Sequence, residues 1–77
     1  METLILYTTV GCHLCEQALA IMEPIAAEDY QINQIDISES DELIECYGIR
    51  IPVVARLDDD RELGWPFDSQ AFLAFLR

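Results

Sequence analysis

The stretch from Leu4 to Cys15 constrains the fold of this chain more than any other. Leu4-Ile5-Leu6-Tyr7 is a short, continuous apolar run, the pattern of a strand covered on both faces, and Gly11 sets a bend directly after it. Cys12-His13-Leu14-Cys15 then opens an amphipathic segment in which a helix is expected to begin at the first cysteine. Two thiols three positions apart on a helix are separated by about one turn, so the second lies beneath the first and both sulfurs reach disulfide geometry. The pair forms one redox or metal-binding unit.

A chain of 77 residues suits a single domain, residues 1–77, with a small core, and an apolar fraction of 52% argues against disorder. No stretch approaches the ~20 apolar residues of a membrane span, and the N-terminus lacks the basic flank and cleavage site of a secretory signal. A soluble, cytoplasmic, monomeric protein is therefore expected. Fifteen acidic residues against four arginines and no lysine give a formal charge of −11, so phosphate backbones and anionic membrane surfaces should be repelled. Neither nucleic acid nor membrane is an expected partner, and the spread of the acids along the chain suits solubility better than one dedicated basic partner. Three cysteines are an odd number, whereas the disulfide framework of a secreted mini-protein needs an even set. In a reducing compartment such a pair is catalytic or metal-binding.

Periodicity places the remaining elements. Leu14, Ala18, Ile21, Met22 and Ile25 form a stripe that would lie on a sheet, giving a helix from Leu14 to about Ala26 that Pro24 should kink or end near Glu23. Tyr30 to Ile37 reads as an edge strand, completing a βαβ unit with parallel strands and a right-handed crossover. Ser38 or Ser40 can cap a short second helix with an acidic first turn, a buried face of Leu43, Ile44 and Tyr47, and a stop at Gly48. Val53-Val54-Ala55 and Arg61 to Gly64 form a hairpin around Asp58-Asp59-Asp60. Asp68 caps a last helix, with Phe67 and Phe72 as its hydrophobic staple and Phe72, Leu73 and Leu76 toward the core. The order is β-α-β-α-β-β-α.

Chemistry follows from the helix start. A free thiol with a pKa near ~8.5 supplies little thiolate at neutral pH, but unpaired N–H groups and the positive dipole end favour the ionised form of Cys12. A protonated His13 would act in the same direction and Glu16 would oppose it. Cys12 is the expected exposed nucleophile, and Cys15, on the side of Ala18, Leu19 and Met22, the buried resolving thiol. His13 and Leu14, between them, should tune the potential. Cys46 reads as a small buried hydrophobe, and Tyr47 and Trp65 as core.

Taken together, the initial strand, Cys12-His13-Leu14-Cys15 at a helix start, Ile51-Pro52-Val53-Val54 before a hairpin and the closing helix resemble the glutaredoxin-like branch of the thioredoxin superfamily. More narrowly, Thr9-Val10-Gly11-Cys12-His13-Leu14-Cys15 resembles a group of short bacterial glutaredoxin-like proteins. The resemblance implies an α/β, three-layer α/β/α fold with a four-stranded mixed sheet in the order 2-1-3-4. It also implies a cis-Pro52 facing the cysteines, preceded by Ile51 offering its backbone to an extended thiol substrate. Arg50, beside them, is a cation placed to contact a carboxylate. Typical glutaredoxins carry a lysine shortly before the first cysteine, an aromatic residue before the second, and paired glycines with acidic residues at the last helix. Here those places hold Tyr7-Thr8-Thr9-Val10-Gly11, Leu14, and Gly64-Trp65-Pro66-Phe67-Asp68 with its one glycine.

The leading functional expectation is a thiol-disulfide oxidoreductase, with no resident cofactor, acting on a disulfide-containing protein or a small thiol substrate. Glutathione stays open as a co-substrate. The alternatives are a metal or iron-sulfur module through Cys12, His13 and Cys15, and a non-catalytic thioredoxin-fold binding domain. A closed tetrahedral zinc site wants four ligands, of which one C-x-x-C supplies two.

Overall fold

Three consecutive buried residues on the first strand, Leu4, Ile5 and Leu6, set up two covered faces of the molecule. The computed structural model describes residues 2–27, 29–58 and 60–76. Strand β1 (Glu2–Thr8) lies at the centre of a four-stranded sheet in the order β2-β1-β3-β4. It runs parallel to β2 (Tyr30–Asp36) and antiparallel to β3 (Val53–Arg56), which pairs antiparallel with β4 (Glu62–Gly64). The expected fold and strand order are therefore found. Successive side chains of a strand point to opposite faces. Leu4, Leu6 and Val54 accordingly share one core cluster with Ala18 and Met22 of helix α1 (His13–Ala26) and Phe72 and Phe75 of helix α3 (Ser69–Leu76). On the opposite face, Tyr7 stacks on Tyr47 of helix α2 (Asp41–Tyr47), with ring centroids 4.1 Å apart.

Local chemistry sets the element boundaries. Ser40 caps α2 by accepting from the Leu43 N–H, while Asp36 takes the Ser38 N–H and caps the short 3-10 turn Ile37–Glu39. Ile37 therefore leaves the strand in which the alternation placed it, and β2 ends at Asp36. Asp68 Oδ1 accepts the Ala71 N–H at 2.8 Å, and Phe67 and Phe72 lie stacked with centroids 6.2 Å apart, which is the expected cap and staple. The hairpin forms with β4 beginning at Glu62; Asp59 of its turn lies outside the described residues.

Several expectations about burial and helix ends are corrected. The buried stripe of α1 is Cys15, Ala18, Met22 and Ala26, so Leu14 faces outward, 45% exposed. The helix runs through Pro24 to Ala26, because the residue losing its N–H sits in the last turn and the Ala27 N–H still closes on Glu23. In α2 no residue is fully buried: Ile44 is 45% exposed, and Cys46, expected inside, is exposed. Gly48 ends α2 in a right-handed conformation; a Cβ there would press on the Ile44 carbonyl, so the glycine answers a close approach and not a left-handed turn. In α3 the core-facing pair is Phe72 and Phe75, three positions apart, while Leu73 turns outward.

Arg56 was not singled out by its sequence context. Its side chain is buried, yet it donates to the Phe75 carbonyl, Glu2 and Asp58, tying the end of β3 to the start of β1 and the end of α3. A buried guanidinium is tolerable only with such partners.

The outward turn of Leu73 is directly testable. Phe72→Ala is expected to cost about 3–5 kcal/mol of unfolding free energy, and Leu73→Ala less than about 1 kcal/mol. Urea unfolding of both variants checks this; equal losses would refute the assigned rotation of α3.

Candidate functional site

Both cysteines owe their positions to the bend after β1. Gly11 has φ +78°, a left-handed conformation that costs a side chain steric strain even where, as here, a Cβ would meet nothing within 4 Å. Cys12 then adopts an extended conformation and serves as the N-cap of α1. Its Sγ accepts the Cys15 N–H at 3.1 Å, the role a serine or aspartate oxygen plays at ordinary helix starts. The Cys12 and Cys15 Cα atoms are 5.2 Å apart and the two sulfurs are bonded as a disulfide. Cys15 is 4% exposed and Cys12 partly exposed, matching the expected asymmetry between an outer and an inner sulfur.

His13 and Leu14 project away from the core between the two cysteines. His13 Nδ1 lies 3.3 Å from Glu16 Oε2, with both side chains largely in solvent. A protonated imidazole and this carboxylate would therefore offset one another's field at Cys12. Leu14 presents apolar surface beside the disulfide and does not shield it from below.

Ile51-Pro52 is a cis peptide, as the resemblance implied, and Pro52 is fully buried. Tyr7 pairs with Val53, so the antiparallel register brings Pro52 to the same end of the sheet as Thr8 and the cysteine-bearing loop. The approach to Pro52 is tied down on both sides. The Arg50 and Ile51 N–H groups donate to the Tyr47 carbonyl, and the Trp65 N–H donates to the Pro52 carbonyl.

Arg50 contacts a carboxylate, but an internal one. Its Nη2 is 3.1 Å from Glu62 Oε1, and its guanidinium lies over the Tyr47 ring at 5.4 Å. The Tyr47 hydroxyl also donates to Glu62. Tyr47 is thus no core residue; with Tyr7, Arg50 and Glu62 it links α2, β1 and β4 beside the Pro52 loop. Trp65 does pack against the core, edge-on to Phe67. A second residue missed in the sequence is Asp36, whose carboxyl the Ser38 N–H and hydroxyl and the Thr9 hydroxyl hold below the usual carboxylate range. The Asp-x-Ser spacing of Asp36 and Ser38 was its available signal.

A cleft of about 360 Å³ opens onto both cysteines between the start of α1 and the ends of β1 and β2. Among the described residues, no group of three or more histidine, cysteine, aspartate or glutamate side chains is gathered as metal ligands would be. No helix of the described residues is long and apolar enough to cross a membrane.

Comparison with known proteins gives three findings. A family model, glutaredoxin-like domain (DUF836), matches residues 3–77. Among solved structures, protein XcR50 from X. campestris is 36% identical, with a TM-score of 0.82 over 95% of this chain and 93% of that one. Protein Ne2328 from Nitrosomonas europaea is 29% identical, with a TM-score of 0.81 over 96% of this chain and 89% of that one. A thioredoxin mutant from Halobacterium salinarum shares the fold, at 23% identity and a TM-score of 0.71 over 95% of this chain and 69% of that one. No curated protein matches.

The Tyr47–Glu62 contact predicts an alkaline titration. The hydrogen bond to Glu62, then burial and the neighbouring Tyr7, raise the Tyr47 pKa well above its ordinary 10.0. Because the folded-state value is the higher one, the stability it contributes is complete below pH 10.0 and declines as the pH rises above that. Glu62→Ala is expected to move phenol ionisation, followed by ultraviolet absorbance, to lower pH. An unchanged titration curve would remove the contact from the account.

Proposed function

We propose, from the premise that this chain belongs to the glutaredoxin-like domain (DUF836) family, that it is a thiol-disulfide oxidoreductase working through the Cys12/Cys15 dithiol. The thioredoxin-like fold and a cysteine pair at disulfide distance are compatible with redox function. The observation that carries the finer reading is the placement of the Cys12 sulfur as the cap of α1, receiving the Cys15 N–H, with Cys15 itself buried.

That placement supports distinct roles for the two sulfurs. In the reduced state a Cys12 thiolate would keep the donated N–H and lie at the positive end of the helix dipole, both of which favour ionisation. The thiolate attacks one sulfur of a substrate disulfide; a new S–S bond forms to Cys12, the substrate's S–S bond breaks, and the departing thiolate takes a proton from solvent. Cys15 then loses its proton and attacks the Cys12 sulfur, expelling the second substrate thiol and leaving the intramolecular disulfide. Two electrons pass from the dithiol to the substrate. An external thiol or dithiol reductant returns them.

The Pro52 loop would complete the site by offering the Ile51 carbonyl to an extended substrate, since the Ile51 N–H is engaged by Tyr47, with Arg50 beside it. Disulfide-bearing polypeptides and small disulfides both suit this arrangement. Glutathione, as a co-substrate, would have to draw Arg50 away from Glu62 or bind without it.

The two cysteines should fail differently. Cys12→Ser is expected to lower the turnover of a small disulfide by about a hundredfold or more. Cys15→Ser should still react once and accumulate a mixed disulfide on Cys12, seen as an adduct by mass spectrometry. Wild-type turnover by Cys12→Ser would exclude the reading.

A further inference from the structure

The cleft beside the dithiol gathers charges that are far apart in sequence. Its charged lining among the described residues consists of Glu16, from the first turn of α1, and Asp36, from the end of β2. We propose that this cleft is a subsite for a cationic side chain, lysine or arginine, carried by a polypeptide disulfide substrate and adjacent to its reacting cysteine. The proposal rests on the redox reading of Cys12 and Cys15 and gives that site a substrate class.

Size, charge and lining all support this occupant. At about 360 Å³ the cleft stands at the low end of binding pockets, which run from ~300 to ~1,000 Å³, so it suits one side chain better than a whole peptide. Ser38 donates to Asp36 Oδ1 through both its N–H and its hydroxyl, which fixes the carboxylate in place and keeps it ionised. An ionised carboxylate has about four acceptor sites, so these two bonds and that from the Thr9 hydroxyl still leave room for an incoming donor. Gln34, Thr8 and Thr9 add further polar residues to the same lining. Val10 and Leu19 supply apolar surface of the kind the aliphatic stem of lysine or arginine covers. His13, beside Glu16, is directed to solvent and is not part of the lining.

An anionic group would meet two carboxylates in the same space, within a chain of formal charge −11. The cleft therefore disfavours the carboxylates of glutathione as it favours a basic peptide. Arg50 does not reverse this, since it is paired with Glu62.

Three disulfide peptides, identical but for Arg, Gln or Glu next to the reacting cysteine, test the proposal through their second-order rate constants with reduced protein. The Arg-to-Glu ratio should be about tenfold at low ionic strength and shrink on adding salt. In E16Q/D36N it should fall below about threefold, whereas E23Q/D29N, which removes equal charge at the far end of α1 and β2, should keep the wild-type ratio. If E16Q/D36N does not fold, E16Q alone should lower the ratio by about threefold. Equal rates for the three peptides, or equal loss of preference in both double variants, would overturn the subsite while leaving the redox reading intact. Failure of the Gln peptide to react at all would overturn both.

Discussion

The packing of Leu4, Leu6 and Val54 against Met22 and Phe72 is the interaction on which the rest of this small structure depends. All five side chains are fully removed from water, and each comes from β1, β3, α1 or α3. Burying a Leu, Val, Met or Phe side chain is worth roughly 1.5–3 kcal/mol, so these contacts carry a large part of the driving force for folding. They also fix geometry. With Leu6 and Met22 in one core cluster, the bend at Gly11 must return the chain so that α1 packs on the sheet, and Cys15 enters the same buried stripe as Ala18 and Met22. The inner cysteine is inner because of the core.

The outer cysteine is positioned by a different force. Cys12 stands where a helix leaves its first N–H groups without partners, and its sulfur takes one of them. The cap interaction that starts the helix is thus the same interaction that would favour a thiolate there. Structure and the proposed chemistry share one hydrogen bond, so the helix start and the proposed nucleophile coincide in this chain.

How much of this could be read from the sequence depended on the strength of the local pattern. The β1–turn–α1 unit was legible because an apolar run, a glycine and a cysteine pair follow one another within a dozen residues. The strand order came from the family resemblance, since pairing across 20 or more residues leaves no local mark. On α1 the expected burial of Ala18, Met22 and the inner Cys15 is found, and Leu14, the more hydrophobic side chain beside Cys15, is the member of the stripe that turns outward. Helix α2 is seven residues long, two turns, and so short an element can lean on the sheet through Tyr47 and bury nothing completely. The same reason leaves Cys46 outside. Arg56 and the Tyr7–Tyr47–Glu62–Arg50 group were invisible because their partners come from distant segments, joined only when the sheet forms.

The distribution of charge around the site follows from those same long-range contacts. A count of 15 acidic residues against four basic ones says only that the chain repels anions on average. The fold turns that average into a local asymmetry. On the β4 side of β1, Glu62 engages Arg50 and Tyr47, so a cation and a carboxylate offset one another beside the Pro52 loop. On the β2 side, Glu16 and Asp36 line the cleft together, and Ser38 holds Asp36 in its charged form. A substrate reaching Cys12 would therefore meet near-neutrality on one flank and negative charge on the other. Because β1 is flanked by β3 and β4 on one side and by β2 on the other, this asymmetry is a consequence of the 2-1-3-4 strand order. The topology that places the sulfurs also decides which charges flank them.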